Sequence, residues 1–158
     1  MNDVMSSNSA AHAGQLAAAA TRDQQEYTTT EGDPNVDRDH ILALWRAGLA
    51  HDGMPDAKLA WYYRNNPEGT PLIVFLHHAG SPGAVGVAAV GPRQMRFGTQ
   101  TLRAGALVDF VANPEHRTFF PAIFLQKELR RRALATYPVL FGFPNEKSLA
   151  IVRRIGYR

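Results

Sequence analysis

The residues able to do chemistry in this chain are few, and most lie in its second half. Asp109 is the single acidic residue in the stretch 101–113, where it stands between Val108 and Phe110. A carboxylate among apolar neighbours on a strand can have a raised pKa suited to base catalysis, or can be a paired structural aspartate. Both readings stay open at this point. His77 and His78 are adjacent in an apolar run, so on a strand they point to opposite faces and do not easily share one metal ion. The glycines of "GSPGAVG" at 80–86 lack the lysine and following helix of a phosphate-binding loop. Arg130, Arg131 and Arg132 form a basic run without the interleaved aromatics of a nucleic-acid stacking platform. The chain has no cysteine, which excludes disulfides, thiolate zinc sites and cysteine nucleophiles.

These residues need a scaffold, and the pattern of apolar residues and breakers supplies one. "EYTTTEG" (26–32) reads as an edge strand ended by Gly32, Asp33 and Pro34. In "DRDHILALWRAGLA", Ile41, Leu44, Trp45 and Leu49 recur at helical spacing, with Asp37 or Asp39 as the cap. A second helix fits "DAKLAWYYRNN" between Pro55 and Pro67, with Leu59, Tyr62 and Tyr63 as its apolar stripe. Strands follow at 70–78, 85–97 and 101–114, separated by "AGSPGA" and "GTQ". A helix from Phe119 or Phe120 to Thr136 carries Pro121 in its first turn. "VLFGF" (139–143) is a further buried strand, and Asn145 caps a last helix that Gly156 ends.

At 158 residues and 45% hydrophobic content, the chain has material for one globular domain with a sizeable core. Residues 1–24, rich in Ala and Ser but without a basic start or a strong apolar run, read as a disordered leader rather than a signal peptide. No run approaches the roughly 18–20 apolar residues that span a bilayer, and a cytoplasmic location is expected. Charge is unevenly divided. Residues 1–92 hold 5 Lys/Arg against 10 Asp/Glu, whereas residues 93–158 hold 12 against 4. A basic half suits an anionic partner such as a phosphorylated cofactor, a nucleic acid or a membrane surface, or it is a solvated helix face.

The element order β-α-α-β-β-β-α-β-α, over residues 25–158, resembles the GCN5-related N-acetyltransferase (GNAT) superfamily. The strand 101–113 running through "NPEHR" into a helix is similar to that family's V-x-P-x-x-R entry into its acyl-CoA loop. The closing "NEKSLAIVRRIGY" is similar to its N-x-x-A-x-x-x-Y-x-x-x-G-F segment. The resemblance implies a mixed, mostly antiparallel α/β sheet flanked by helices, in which the strand 101–113 bulges and splays from the strand at 139–143. Gly156, Tyr157 and Arg158 would open a sixth strand. The last two strands of the usual fold would then be missing, through truncation or because a partner supplies them.

The same resemblance implies an acyl-CoA-dependent N-acyltransferase, moving acetyl from acetyl-CoA to a small amine or to a lysine or N-terminal amine. It implies no metal and no membrane or nucleic-acid partner, and a homodimer is compatible with it. Pantetheine would lie along the strand at Phe110, Val111 and Ala112. Pyrophosphate would sit on the loop Arg117, Thr118, Phe119, Phe120, Pro121 and Ala122 at the helix N-terminus, with Asn145 beside the cleft. Asp109 would be the base, a strand amide near Phe110 to Ala112 would stabilise the oxyanion, and one of Arg130 to Arg132 could meet the phosphates. Trp45, Trp61 and Tyr62 could touch the acceptor cleft.

Three positions depart from the family pattern. Phe120 replaces the central loop glycine, Pro121 removes an amide donor, and Val152 stands where the family carries a proton-donating tyrosine. Tyr157 is expected to pack rather than to act as an acid. These departures favour the alternative, a non-catalytic CoA-binding or structural module.

Overall fold

The computed structural model describes residues 26–49 and 53–158; the leader at 1–24 lies outside them. The architecture follows from the strand β2 (Leu72–His78). Its apolar run is continuous because both faces are covered. Ile73 and Phe75 point into one hydrophobic cluster, and Val74 and Leu76 point into the other. The hairpin partner β3 (Ala84–Phe97) divides in the same way, with Val87 and Ala89 on the first face and Ala88 and Val90 on the second.

Around this pair the sheet has the order β1-β2-β3-β4-β5. Among the described residues the edge strand β1 (Tyr27–Gly32) pairs, antiparallel, with β2 alone. Its threonine-rich sequence suits an edge that stays partly solvated. The strand β4 (Gln100–Ala112) runs antiparallel to β3, and the short β5 (Val139–Phe141) runs parallel to β4.

Helix α1 (Arg38–Gly48) and the segment after it cover the first face, where Ile41, Leu42, Leu44 and Trp45 meet Leu59, Tyr62 and Tyr63. Asp37 occupies the N-cap position of α1, but its carboxylate makes no cap bond. It accepts from the backbone N–H of Asp33 at 2.8 Å instead. The expected second helix divides into one α-turn, α2 (Pro55–Lys58), and a π-helical turn, Leu59–Arg64. The N–H of Asn65 reaches back five residues to the carbonyl of Ala60 at 2.9 Å. This wider turn sends the neighbours Tyr62 and Tyr63 both towards the sheet while Trp61 stays 61% exposed. Such π-turns are frequent at functional sites.

Helix α3 (Phe119–Ala133) covers the second face with Leu125, Leu129 and Ala133. Helix α4 (Glu146–Arg154) follows β5, capped by Asn145, whose Oδ1 accepts from the N–H of Ser148 at 2.9 Å. Gly156 takes φ +93° and ends it. Tyr157 and Arg158 join no strand, so the sixth strand expected to open there does not form within the described residues.

Candidate functional site: a wedge between two strands

The site is made by a mismatch in strand pairing. Along β4 the register runs Ala89 opposite Val108 and then Val87 opposite Val111. Ala88 alone therefore faces both Asp109 and Phe110, the two-against-one arrangement of a β-bulge. Asp109 takes φ +54° and is the one non-glycine residue with positive φ among the described residues. Aspartate tolerates this left-handed conformation better than most side chains. Before the bulge is reached, β4 and β5 part. Their pairing ends at Ala106 and Phe141, shorter than the strand expected to run to Phe143. Among the described residues, the edge of β4 facing away from β3 is then without a neighbouring strand from Leu107 to Ala112.

The gap is a cavity of about 310 Å³, walled by Asp109, Phe110, Gln126, Asn145 and Val152 among others. Asp109 turns towards the α1 face, and its side chain is only 6% exposed. One carboxylate oxygen is ion-paired with the Lys58 ammonium, and the other accepts a 2.6 Å hydrogen bond from the Tyr63 hydroxyl. Lys58 also lines the cavity and lies over the Trp45 ring, 4.9 Å from its centroid. Burial, then the charge of Asp109 and the hydrogen bond to it, push the Tyr63 phenol well above its ordinary value. The phenol therefore remains a donor at neutral pH.

The site residues expected from sequence fall into two places. Asp109, Phe110 and Asn145 stand together on the cavity wall. Val111 and Ala112 are 5% and 8% exposed and cross-paired with Val87 and Gly86, and neither is on the cavity wall. The loop residues Arg117 to Ala122 lie off this wall, at the start of α3. Arg117 gives its Nε to the carbonyl of Ala112 at 2.8 Å and its Nη2 to that of Ala47 at 3.1 Å. Its guanidinium is thus spent on tying the loop to β4 and to α1.

Thr118 is the N-cap of α3 without a side-chain cap bond, and helix geometry leaves the first amides after it, those of Phe119 and Phe120, without intrahelical partners. The Phe120 ring packs between Tyr27 and Phe124, with centroids 6.1 and 6.0 Å away. Pro121 and Ala122 are buried. The Arg154 guanidinium covers the Phe119 ring at 4.9 Å, which sets a cation at this helix start. Arg131 and Arg132, by contrast, are at the far end of α3, paired with Glu128 at 2.8 Å and Glu31 at 3.2 Å. Fifteen residues of helix span about 22 Å, so these arginines stand far from the loop.

Trp45 is buried in the core, and Trp61 and Tyr62 line no part of the cavity. His77 and His78 bond to Thr30 and Glu26 on separate faces. Among the described residues no group of three or more His, Asp or Glu is placed to hold a metal, and no helix is long and apolar enough to cross a membrane.

Sequence reasoning missed Lys58, Tyr63 as a partner of Asp109, and Gln126. The first two come together through the π-turn and a bulge on a strand far along the chain, for which no local pattern exists. Gln126 did leave a signal. It is the polar member of a helix face otherwise made of Ala122, Leu125, Leu129 and Ala133.

No protein-family model matches the chain, and no curated protein matches its sequence. Solved structures do match its shape. Glucosamine-6-phosphate N-acetyltransferase from Arabidopsis thaliana superposes with a TM-score of 0.63 at 12% identity, covering 84% of this chain and 91% of that one. A predicted acetyltransferase with acetyl-CoA from Clostridium acetobutylicum gives 0.66 at 13% identity, covering 84% and 90%. A GCN5-related N-acetyltransferase from Kribbella flavida gives 0.65 at 16% identity, covering 84% of this chain and 33% of that one. With the bulged β4, the parting of β4 from β5 and helices on both faces, these likenesses give the conclusion that the chain has the fold of the GCN5-related N-acetyltransferases.

Proposed function

We propose that this protein is an acyl-CoA-dependent N-acyltransferase that moves an acetyl group from acetyl-CoA to a primary amine by direct attack. The observation that carries this reading is the wedge between β4 and β5, which has an unpaired strand edge on one wall and the bulged Asp109 beside it. A neighbouring structure of the same fold holds acetyl-CoA. Pantetheine amides add to the free edge of β4 as an extra strand would. The pyrophosphate meets the amides of Phe119 and Phe120 at the start of α3, where the helix dipole favours negative charge. Arg154 supplies a cation there.

In the reaction the amine nitrogen attacks the thioester carbon, the carbon–sulfur bond breaks, and an amide and the CoA thiolate result. Asp109 accepts the proton that the attacking nitrogen loses. Each of its oxygens already receives one donor, from Lys58 or Tyr63, and retains a second acceptor site for the amine. The thiolate leaves into a cavity that contains the Lys58 ammonium, and Val152 offers it no proton. Acceptors are small amines or the lysine or N-terminal amines of proteins.

The test combines binding with turnover. Acetyl-CoA at about 100 times its dissociation constant stabilises the protein by roughly 2.7 kcal/mol, read as a thermal shift. Release of free CoA with a panel of amines then reports transfer, and Asp109→Asn abolishes release while keeping the shift. No shift at millimolar acetyl-CoA would sink the proposal. A shift without release for any amine supports the second reading, a CoA-binding module without turnover, which the engaged carboxylate of Asp109 and the apolar Val152 favour.

A further inference from the structure

We infer that Gln126 is a specificity-determining residue of the wedge, its side-chain oxygen accepting a hydrogen bond from an amide N–H of the pantetheine arm. The inference deepens the acyl-CoA reading and rests on it. Gln126 is 3% exposed and is the one buried polar residue of the core among the described residues. Its Oε1 is buried and has no hydrogen-bond partner among the described residues. Leaving such an acceptor unpaired is costly. The helix face around it is apolar, so leucine or methionine would fill the same place without that cost. A residue that lowers the stability of the free protein in this way is explained when something else completes it.

The position of the residue says what that is. Unpartnered buried side-chain atoms also occur on Trp45, Tyr62, Asn66, Arg132 and Tyr157, but none of those residues lines the wedge. Gln126 does, with Leu107, Phe110 and Leu129 beside it and the free edge of β4 opposite β5. An apolar surround strengthens a hydrogen bond made there, because water competes poorly for it.

The oxygen can only accept, so the ligand must donate. An acetyl thioester carries no N–H or O–H. The pantetheine arm has two secondary amides, and each brings one N–H. The unpaired strand edge offers both acceptors and donors in alternation, whereas Gln126 adds an acceptor from the helix side. The acceptor amine, or a hydroxyl or amino group on a longer acyl chain, brings the same chemistry, and binding of CoA alone, which carries neither, separates them from the pantetheine amides.

The test compares wild type with Gln126→Met, which keeps the volume and removes the acceptor. Affinities are measured by calorimetry for CoA, acetyl-CoA, a hydroxyacyl-CoA and the adenosine bisphosphate half of CoA, and the melting temperature is measured without ligand. The expected result is a loss of about tenfold for CoA and acetyl-CoA alike, no change for the adenosine bisphosphate, and a raised melting temperature. Opposite movement of stability and affinity is what a purely structural glutamine would not produce. Equal CoA binding by both proteins overturns the inference. A loss confined to the hydroxyacyl-CoA overturns the pantetheine assignment. Failure of wild type to bind CoA overturns the acyl-CoA reading itself and this inference with it. If the methionine variant does not fold, Gln126→Leu replaces it with the same criteria.

Discussion

The hydroxyl of Tyr63 donates a 2.6 Å hydrogen bond to the carboxylate of Asp109, joining the π-turn after α2 to the bulge of β4. The two residues are 46 apart in sequence. Through this contact the helical layer on one face of the sheet fixes the one left-handed non-glycine residue among the described residues. A bond to a charged acceptor in a buried setting is worth more than an ordinary one.

Tyr63→Phe therefore costs about 1.5–3 kcal/mol in urea denaturation. Its pH signature is distinct. The Tyr63 phenol is raised above its ordinary value by burial and by Asp109. The folded state thus holds this proton where the unfolded chain, with a phenol pKa of about 10, has lost it. Its contribution is fully present below pH ~10 and is lost as pH rises from there through the folded value. Wild-type stability should fall above pH ~10, and the fall should be shallower in Tyr63→Phe. An unchanged alkaline slope would argue against this assignment.

Lys58 is the counter-charge of Asp109. Removing it alone, as in Lys58→Met, leaves a carboxylate that is 6% exposed with Tyr63 as its remaining side-chain donor among the described residues. A loss of about 1–3 kcal/mol follows, below the buried-pair range because the lysine side chain is itself 29% exposed. Adding Asp109→Asn to Lys58→Met should recover part of that loss. A double-mutant cycle reads the coupling, and additive effects would show that the pair contributes nothing.

Asn145 both caps α4 and stands on the cavity wall. Asn145→Ala removes the acceptor for the Ser148 N–H and costs about 1 kcal/mol, whereas Asn145→Asp or Asn145→Ser keeps the cap. Acetyl-CoA affinity measured across the three variants then tells whether the cap geometry or the amide side chain serves the ligand.

Arg154, over the ring of Phe119, is the cation set at the start of α3. Arg154→Ala is expected to weaken CoA binding several-fold at low salt and less at high salt, because an exposed charge is screened within about 10 Å at 0.1 M. Arg131→Ala, at the distant end of the helix, should leave the affinity unchanged. The reverse order of effects would move the phosphate site away from the loop.

Much of this architecture was legible in the chain. The apolar runs within 70–78 and 85–97 marked strands by their length and flanking turns, and the structure shows both faces covered, because a side-chain period of two fills both sides only when both are apolar. Asn145 and Gly156 marked the ends of α4 because capping and left-handed φ are local requirements. Asp109 stood out as a lone carboxylate in an apolar strand.

What surrounds Asp109 was not legible. A bulge moves one residue out of register through pairing with a distant strand, and a π-turn rotates Tyr63 by one extra residue, and neither leaves a local periodic trace. The run Arg130 to Arg132 pointed to phosphates by its charge alone; Arg131 pairs instead with Glu128 one turn back on its own helix, and tertiary packing decided that Arg132 meets Glu31. The sequence by itself determined the elements, their order and the chemistry available to them, since these depend on neighbours a few residues apart. Tertiary structure decided where the pairing of β4 with β5 stops, that Asp109 is held by Lys58 and Tyr63, and that Gln126 lines the gap. Those outcomes depend on which distant surfaces meet.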